Sequence, residues 1–443
     1  MQNEDSLFVD ALTGSDGNDC TSEHVCKTIG RAVTMAPNYI VISLQNQTLT
    51  EISVVIQSKS VRLEGKGNGA DGTKIAWGTD DLESYSNSFP NSAPTTLFEV
   101  KKGNLICNLI RFQLKQITFE DSLVGLFFDI SNSGSLYLTD SIVLLDNQKS
   151  YHSNPLYADH NNDIYLINVF SLGDGTLQLN NTVICNLTQV VTEYGFFDNF
   201  QHKLRGEYVQ ETTLKLRFYS VIELTHENSK LIVSNSTFSN ISLAHDGCII
   251  RIWAFNTVQI QDSSFISLRG MATNSQVNNI NNNNGKPNQI TEYKEYLKSQ
   301  SQVYVISAEL GSVQFSYSSR PFTIQGCTFS GFLNKTYSSI QPGGGALSFS
   351  LSLVVKISQS SFIECHSIGG SGGALSISLC TSTASVTNSI FINNSADTSG
   401  GSINIIGGGF MAIRGYKELQ REEDEINREK DIYLYWIQDH GVS

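Results

Sequence analysis

The sequence predicts an all-β solenoid, a chain wound into stacked coils of short strands, and three observations carry that prediction. A Gly-Gly-small-aliphatic step recurs every 28 residues, at Gly344-Gly345-Ala346-Leu347, Gly372-Gly373-Ala374-Leu375 and Gly400-Gly401-Ser402-Ile403. A fixed period of that size marks units that bury their apolar faces only by stacking on a neighbour. A small-x-Phe step at Phe362 and Phe391 keeps pace with it. Within each repeat, apolar residues alternate with polar ones, as in Leu347-Ser348-Phe349-Ser350-Leu351 and Val355-Lys356-Ile357, which is the period of a strand.

Composition agrees. The 443 residues are 40% hydrophobic and only 16% charged, ample for a core, and a solenoid grows in one dimension without a second core. Seven prolines against 35 glycines suit continuous ladders, since proline removes a ladder donor. A net charge of -13 argues against a nucleic-acid backbone or an anionic membrane surface as partner.

In chain order, Leu7–Val9 reads as a strand leading into a Gly/Asp/Asn loop. Thr28 then caps a short amphipathic helix with Ile29, Ala32, Val33 and Ala36 on its apolar side. A helix laid over the open end of a solenoid hides an edge that would otherwise recruit other strands. YIVISL, EISVVIQ and SVRLEG follow as strands up to Leu63. Gly67, Gly69 and Gly72 have G-x-G-x-x-G spacing, but TKIAW after them reads as a strand, so no phosphate cradle is expected.

The body repeats one phrase, an apolar strand, a polar turn, a small residue and then Phe or an aliphatic, from IRFQLKQITFEDS (110–122) to VTNSIFIN (386–393). Aligning the phrases predicts an inner ladder of Phe119, Val143, Val183, Phe238, Phe265, Phe329, Phe362 and Phe391. Three residues earlier, Gln116, Asp140, Asn180, Asn235, Asp262, Gly326, Gln359 and Asn388 predict a corner column, because Asn, Asp and Gly tolerate left-handed backbone.

Two stretches resemble known families. Gly14-Ser15-Asp16 followed by Cys26-Lys27-Thr28-Ile29-Gly30-Arg31-Ala32 resembles the N-terminal cap of the pectin-lyase-like superfamily, with Val25-Cys26 where that family has Pro-Phe or Pro-Cys. The Gly-Gly-Ala-Leu and Phe391-Ile392-Asn393-Asn394 phrases resemble repeats of the polymorphic outer-membrane protein family. Both resemblances imply a right-handed, single-stranded parallel β-helix. The expected organisation is a strand, loop and capping helix over 1–38, the β-helix over 39–409, and a charged helix or linker over 410–443. Loop insertions are expected at 79–95, 146–163, 195–213 and 271–300, the last carrying an asparagine-rich run.

The eight cysteines show no C-x-x-C pair and no zinc spacing, so neither a metal nor a cofactor is expected. Most lie in apolar runs and read as buried thiols. Cys20 and Cys26 bracket a polar loop and are the disulfide candidates. Asn46, Asn180, Asn186, Asn235, Asn240, Asn334 and Asn393 begin N-x-S/T triplets and are the glycosylation candidates. The N-terminus has no basic or apolar leader, and no run approaches 18 apolar residues, so neither signal peptide nor membrane insertion is expected of this sequence.

No complete catalytic signature of a polysaccharide lyase or polygalacturonase is present. Arg251-Ile252, the start of R-I-K, continues into Trp253, and Asp80-Asp81 reads as a solvated turn. Asp140 and Asp262 share a column but fall about four coils, roughly 19 Å, apart, too far for a catalytic pair. The sequence therefore reads as a noncatalytic, adhesin-like scaffold, extracellular or at the cell surface, contacting carbohydrate or another surface protein. The alternatives are a divergent lyase or glycoside hydrolase of the pectin-lyase-like class, using His245, Asp246, Arg251, Asp262 and Arg269, and a structural module of a larger chain.

Overall fold

The computed structural model describes residues 6–51, 53–67, 72–77, 96–114, 125–144, 167–188, 220–243, 248–252, 257–266, 269–270, 304–309, 321–335, 346–350, 354–368, 371–378, 383–397, 400–406, 411–414, 417–419 and 432–435. The expected insertions at 79–95, 146–163, 195–213 and 271–300 lie outside the described residues, as does the Asp80-Asp81 turn. The chain divides into two compact units, residues 1–171 with 186–219, and 172–185 with 220–443.

Each unit is wound from parallel strands that return to the same three sheets in rotation. In the first unit Tyr39–Leu44, Ser60–Glu64, Asn104–Asn108 and Ser135–Thr139 succeed one another in the first sheet. Thr48–Glu51, Lys74–Trp77, Arg111–Leu114 and Ile142–Leu144 form the second. Val54–Gln57, Thr96–Lys101 and Gly125–Ser131 form the third. The second unit repeats the scheme, its first sheet running from Thr176–Asn180 through Lys230–Ser234, Thr257–Gln261, Pro321–Gln325, Val354–Ser358 and Ala384–Thr387 to Met411–Arg414. This is the right-handed parallel β-helix, the hand that parallel crossovers almost always take.

One helix is described, Ile29–Met35. The Thr28 side chain accepts from the Arg31 N–H and caps it, and Ile29, Ala32 and Val33 are buried. Asp16 holds the entry by accepting from the Lys27 and Thr28 N–H groups, and Lys59 donates to the Val33 and Ala36 carbonyls at the exit.

Inside the second unit, Phe238, Phe265, Phe329, Phe362 and Phe391 stack with ring centroids 4.7 to 5.0 Å apart and planes within 7°. The expected column slips by one residue at one coil. Ile184, fully buried, holds the inner place and Val183 is half-buried. The matching corner is Asn181, with φ 49°, rather than Asn180. In the first unit Val143 is buried as expected, but its register partner is Phe112. Gln116 and Phe119 lie outside the described residues, and Leu109, at φ 56°, makes the turn before Phe112. Corners at Asp140, Asn235, Asp262, Gln359 and Asn388 all have φ of 48° to 52°. At Gly326, with φ 64°, glycine takes the corner that Asn, Asp and Gln hold in neighbouring coils, and a Cβ there would meet the Asp262 carboxylate as that side chain now lies.

Between corner and ladder runs a column of buried hydroxyls. Ser236, Ser263, Ser360 and Ser389 each donate to the carbonyl two residues back. Each also accepts from a backbone N–H of the coil before, as Ser360 does from Cys327 at 3.2 Å and Ser389 from Ser360 at 3.3 Å. Cys327 occupies a serine place, its thiol donating to the Gln325 carbonyl. Asn394 closes another turn, accepting from the Cys365 N–H at 2.9 Å and donating to the Phe362 carbonyl at 3.1 Å, which gives the F-x-x-N phrase a physical meaning.

The expectation of a charged helix or linker over 410–443 is corrected where its residues are described. Met411–Arg414, Lys417–Leu419 and Ile432–Tyr435 are strands pairing with Ala384–Thr387, Ile390–Ile392 and Ile403–Ile406. The preceding coil presents a full row of ladder groups, and Ile432-Tyr433-Leu434-Tyr435 is strand-favouring sequence, so pairing overrides helical propensity. Residues 420–431 and 436–443 lie outside the described residues.

The hydroxyl column is testable. Ser360→Ala leaves the buried Cys327 N–H without its acceptor and should lower stability by about 1–3 kcal/mol. Cys327→Ser, which restores the column's own residue, should change it by less than about 1 kcal/mol. Denaturant midpoints of the two variants check this.

Candidate functional site

Among the described residues, a regular solvent-facing arrangement lies on the first sheet of the second unit. Strand alternation turns Leu, Val, Ile and Phe inward and leaves two outward rows. One runs Gln178, Ile232, Gln259, Thr323, Lys356, Ser385, and the other Asn180, Ser234, Gln261, Gln325, Ser358, Thr387, each residue the register partner of the next. Exposed corners Asn181, Asn235, Asp262, Gln359 and Asn388 border them. The side chains bond to their neighbours: Gln325 donates to Gln359 at 3.1 Å, Gln261 to Asp262 at 3.0 Å and Ser234 to Asn180 at 3.2 Å. Amides and hydroxyls both donate and accept, so the face offers a hydrogen-bonding lattice that repeats about every 4.8 Å.

The residues singled out for catalysis do not gather. His245 and Asp246 lie outside the described residues. Arg251 is buried in the third sheet between register partners Glu223 and Ser307. Asp262 stands exposed at a corner, and Arg269 belongs to a short strand of the second sheet beside Ser242 and Leu333.

Two titratable arrangements were not read from the sequence. In the first unit Glu99 and Asp129 are register partners on the third sheet, Lys101 pairs with Glu99, and burial together with Glu99 raises the Asp129 pKa. In the second, His366 Nδ1 and Ser395 Oγ are 2.7 Å apart on neighbouring coils. Their partners lie a coil away in space but some 30 residues away in sequence, beyond any local motif.

Cys20 and Cys26 form a disulfide with Cα atoms 4.6 Å apart, tying the loop before the helix. Cys107, Cys327 and Cys365 are buried thiols. Burial pushes Cys327 up to about 11, Cys365 up to about 12 and Cys107 well above the ordinary range, which keeps them unreactive near neutrality. Of the sequon asparagines, Asn186, Asn235, Asn240 and Asn393 sit at corners with φ from 49° to 60°, so turn geometry by itself accounts for asparagine there. Asn46 is exposed and Asn180 half-buried in the outward row, and the side chain of Asn334 lies outside the described residues.

No family model matches the chain, and no curated protein matches it. The likeness of its glycine repeats to polymorphic outer-membrane proteins therefore rests on those residues alone. Solved structures similar to it include a rhamnogalacturonan lyase, at 12% identity over 90% of this chain and 84% of that one, TM-score 0.37. A GH136 lacto-N-biosidase from Eubacterium ramulus matches at 9% identity over 94% and 67%, TM-score 0.32. A mannuronic acid specific polysaccharide family 6 lyase from human gut microbiota matches at 10% identity over 90% and 86%, TM-score 0.28. The parallel ladders described above establish the fold without them. Among the described residues no helix is long and apolar enough to cross a membrane.

The buried acid Glu51 links the cap to pH. Its carboxylate accepts from the Ile29 N–H at 2.6 Å and the Gly30 N–H at 3.4 Å. Burial outweighs those bonds and raises its pKa from 4.5 to about 7. Between those values the folded chain holds a proton that the unfolded chain releases. That contribution, about 3 kcal/mol, is full below about pH 4.5 and lost as pH rises through about 7. Glu51→Gln should flatten the fall in melting temperature from pH 5 to 8, and an unchanged profile would refute the assignment.

Proposed function

We propose that the chain is a noncatalytic β-helical scaffold, extracellular or at a cell surface, whose amide-covered face contacts neutral carbohydrate. The observation that carries this is the pair of outward rows on the second unit, where Gln259, Thr323, Gln261 and Gln325 adjoin in register on four facing positions. A repeating, uncharged, hydroxyl-rich chain is the ligand class such a lattice satisfies, because each unit finds the same donors and acceptors one coil further on. Asp262 is the one carboxylate on these rows and their bordering corners among the described residues, which leaves no acid pair there for hydrolysis. The Cys20–Cys26 disulfide supports an oxidising compartment.

A second reading, a divergent carbohydrate-cleaving enzyme, has one observation of its own. Glu99 and Asp129 place two carboxyl groups on adjacent strands with unlike surroundings, one paired to Lys101 and the other shifted upward.

One screen separates the two. Purified chain is presented with neutral and acidic polysaccharides, and binding and product release are read together. Binding to a neutral polymer that weakens roughly 10- to 1,000-fold in the Gln259→Ala, Thr323→Ala, Gln325→Ala triple variant is expected, from about 0.5–1.5 kcal/mol for each lost hydrogen bond. Unchanged binding in that variant sinks the first reading. Product release abolished by Asp129→Asn establishes the second.

A further inference from the structure

At the N-terminal end each of the three sheets stops at an edge strand, and the three edges are covered unequally. Ser6–Val9 ends the first sheet, and the disulfide-tied loop completes its ladder: the Phe8 N–H donates to the Cys20 carbonyl at 2.8 Å, and the Cys26 N–H to the Phe8 carbonyl at 3.0 Å. Val54–Gln57 ends the third sheet, and the Ile29–Met35 helix packs against it. Thr48–Glu51 ends the second. Its last residue, Glu51, reaches the helix, but among the described residues no backbone group pairs with this strand on its free side. Its first residue, Thr48, is exposed. A free edge is a template for another chain, and native proteins cover it.

Asn46 stands two residues before that edge, at the head of the triplet Asn46-Gln47-Thr48. The fold accounts for other triplets of this kind, since Asn186, Asn235, Asn240 and Asn393 make left-handed corners and Asn180 accepts from Ser234 within the outward row. Asn46 does neither. It is exposed, it is not at a left-handed position, and among the described residues neither its side chain nor that of Thr48 has a hydrogen-bond partner. Gln47 between them is turned back onto the body, donating to Asp10 at 3.1 Å, while the Asn46 amide and the Thr48 hydroxyl belong to exposed residues on either side of it.

We propose that Asn46 carries an N-linked oligosaccharide that covers the free edge of the second sheet, as the loop and the helix cover the other two. The inference rests on the extracellular part of the reading above, because this sugar is added on the secretory route. The donor in that step is a lipid-linked diphospho-oligosaccharide. The bond from sugar C1 to the phosphate oxygen breaks, a bond from C1 to the Asn46 amide nitrogen forms, the amide loses a proton and the lipid diphosphate leaves. Thr48 supplies the hydroxyl that makes the asparagine an acceptor. A glycan is bulky and hydrated, so one rooted beside Thr48 keeps a second chain from pairing with the strand.

The test expresses the full chain behind a secretion leader in eukaryotic cells and removes its N-glycans enzymatically in heavy-oxygen water, which marks each formerly glycosylated asparagine as labelled aspartate for mass spectrometry. Asn46 should be marked in most secreted molecules, and Thr48→Ala should abolish the mark. Sedimentation of the intact glycoprotein then tests the cover. Asn46→Gln and Thr48→Ala should rise in apparent mass toward a dimer as concentration increases, where the native chain does not. Thr237→Ala, which removes the Asn235 triplet and keeps that corner's asparagine, should sediment as the native chain does. Where one of the two edge variants fails to be secreted, the other carries the comparison. An unmarked Asn46 overturns the site. Association unchanged in the edge variants, or raised equally in Thr237→Ala, overturns the cover. Because the leader sets the compartment, these outcomes stand apart from the polysaccharide screen: a chain marked at Asn46 that binds no polysaccharide refutes only the carbohydrate reading.

Discussion

Parallel stacking in register places nearly every residue against its own counterpart one coil away, so each position must be compatible with copies of itself. Inside, phenylalanine satisfies this by stacking, as Phe238 to Phe391 do at under 5.1 Å. Serine satisfies it differently, because one hydroxyl both donates within its coil and accepts from the previous one, so that a column of serines closes its own bonds. Charge does not satisfy it. A repeated lysine or glutamate repels its copy, which fits a chain with only 16% charged residues and asparagine, glutamine, serine and threonine on its outer faces.

The same constraint explains the corners. A coil must turn at the same point each time, and the turn takes left-handed backbone at Asp140, Asn181, Asn235, Asp262, Gly326, Gln359 and Asn388. Asparagine there is followed by the hydroxyl of the buried column or by an alternating strand serine or threonine. At Asn235 the column's Ser236 is followed by the strand's Thr237, and there the fold itself spells N-x-S/T. The Gly-Gly repeats have a matching origin. A Cβ on Gly373 would strike the Gly401 and Ser395 carbonyl oxygens, so the chain closes there only without a side chain.

The solenoid was legible because its signals are local and repeated: the alternation, the phenylalanine step and the helix that Thr28 caps. The one-residue slip at Asn180 and Asn181 arose where two adjacent asparagines both fit the corner. Counting from the buried strand leucines resolves it, since Leu177 to Asn181 and Leu231 to Asn235 have equal spacing, and a one-residue shift turns every side chain to the opposite face. The C-terminal strands were hidden because charge density reads as helix, whereas pairing with a coil already in place decides the outcome. Glu51, the Glu99–Asp129 pair and His366–Ser395 were illegible for another reason. Each depends on which residues lie one coil apart, and insertions of varied length make that separation irregular in sequence.

The constraint also bears on function. Inward positions and corners are fixed by packing and backbone, so their regularity reports the fold alone. Outward strand positions are not fixed in this way. On the first sheet of the first unit they are Val41, Arg62, Ile106 and Tyr137, a mixture the same architecture accommodates. The second unit places Gln259, Thr323, Gln261 and Gln325 at equivalent outward positions. Glutamine is not among the residues that favour strands, and threonine, valine or isoleucine would serve the sheet better there. Stacking tolerates the amides there, and their bonds to the corner column, Gln325 to Gln359 and Gln261 to Asp262, tie row and corner together.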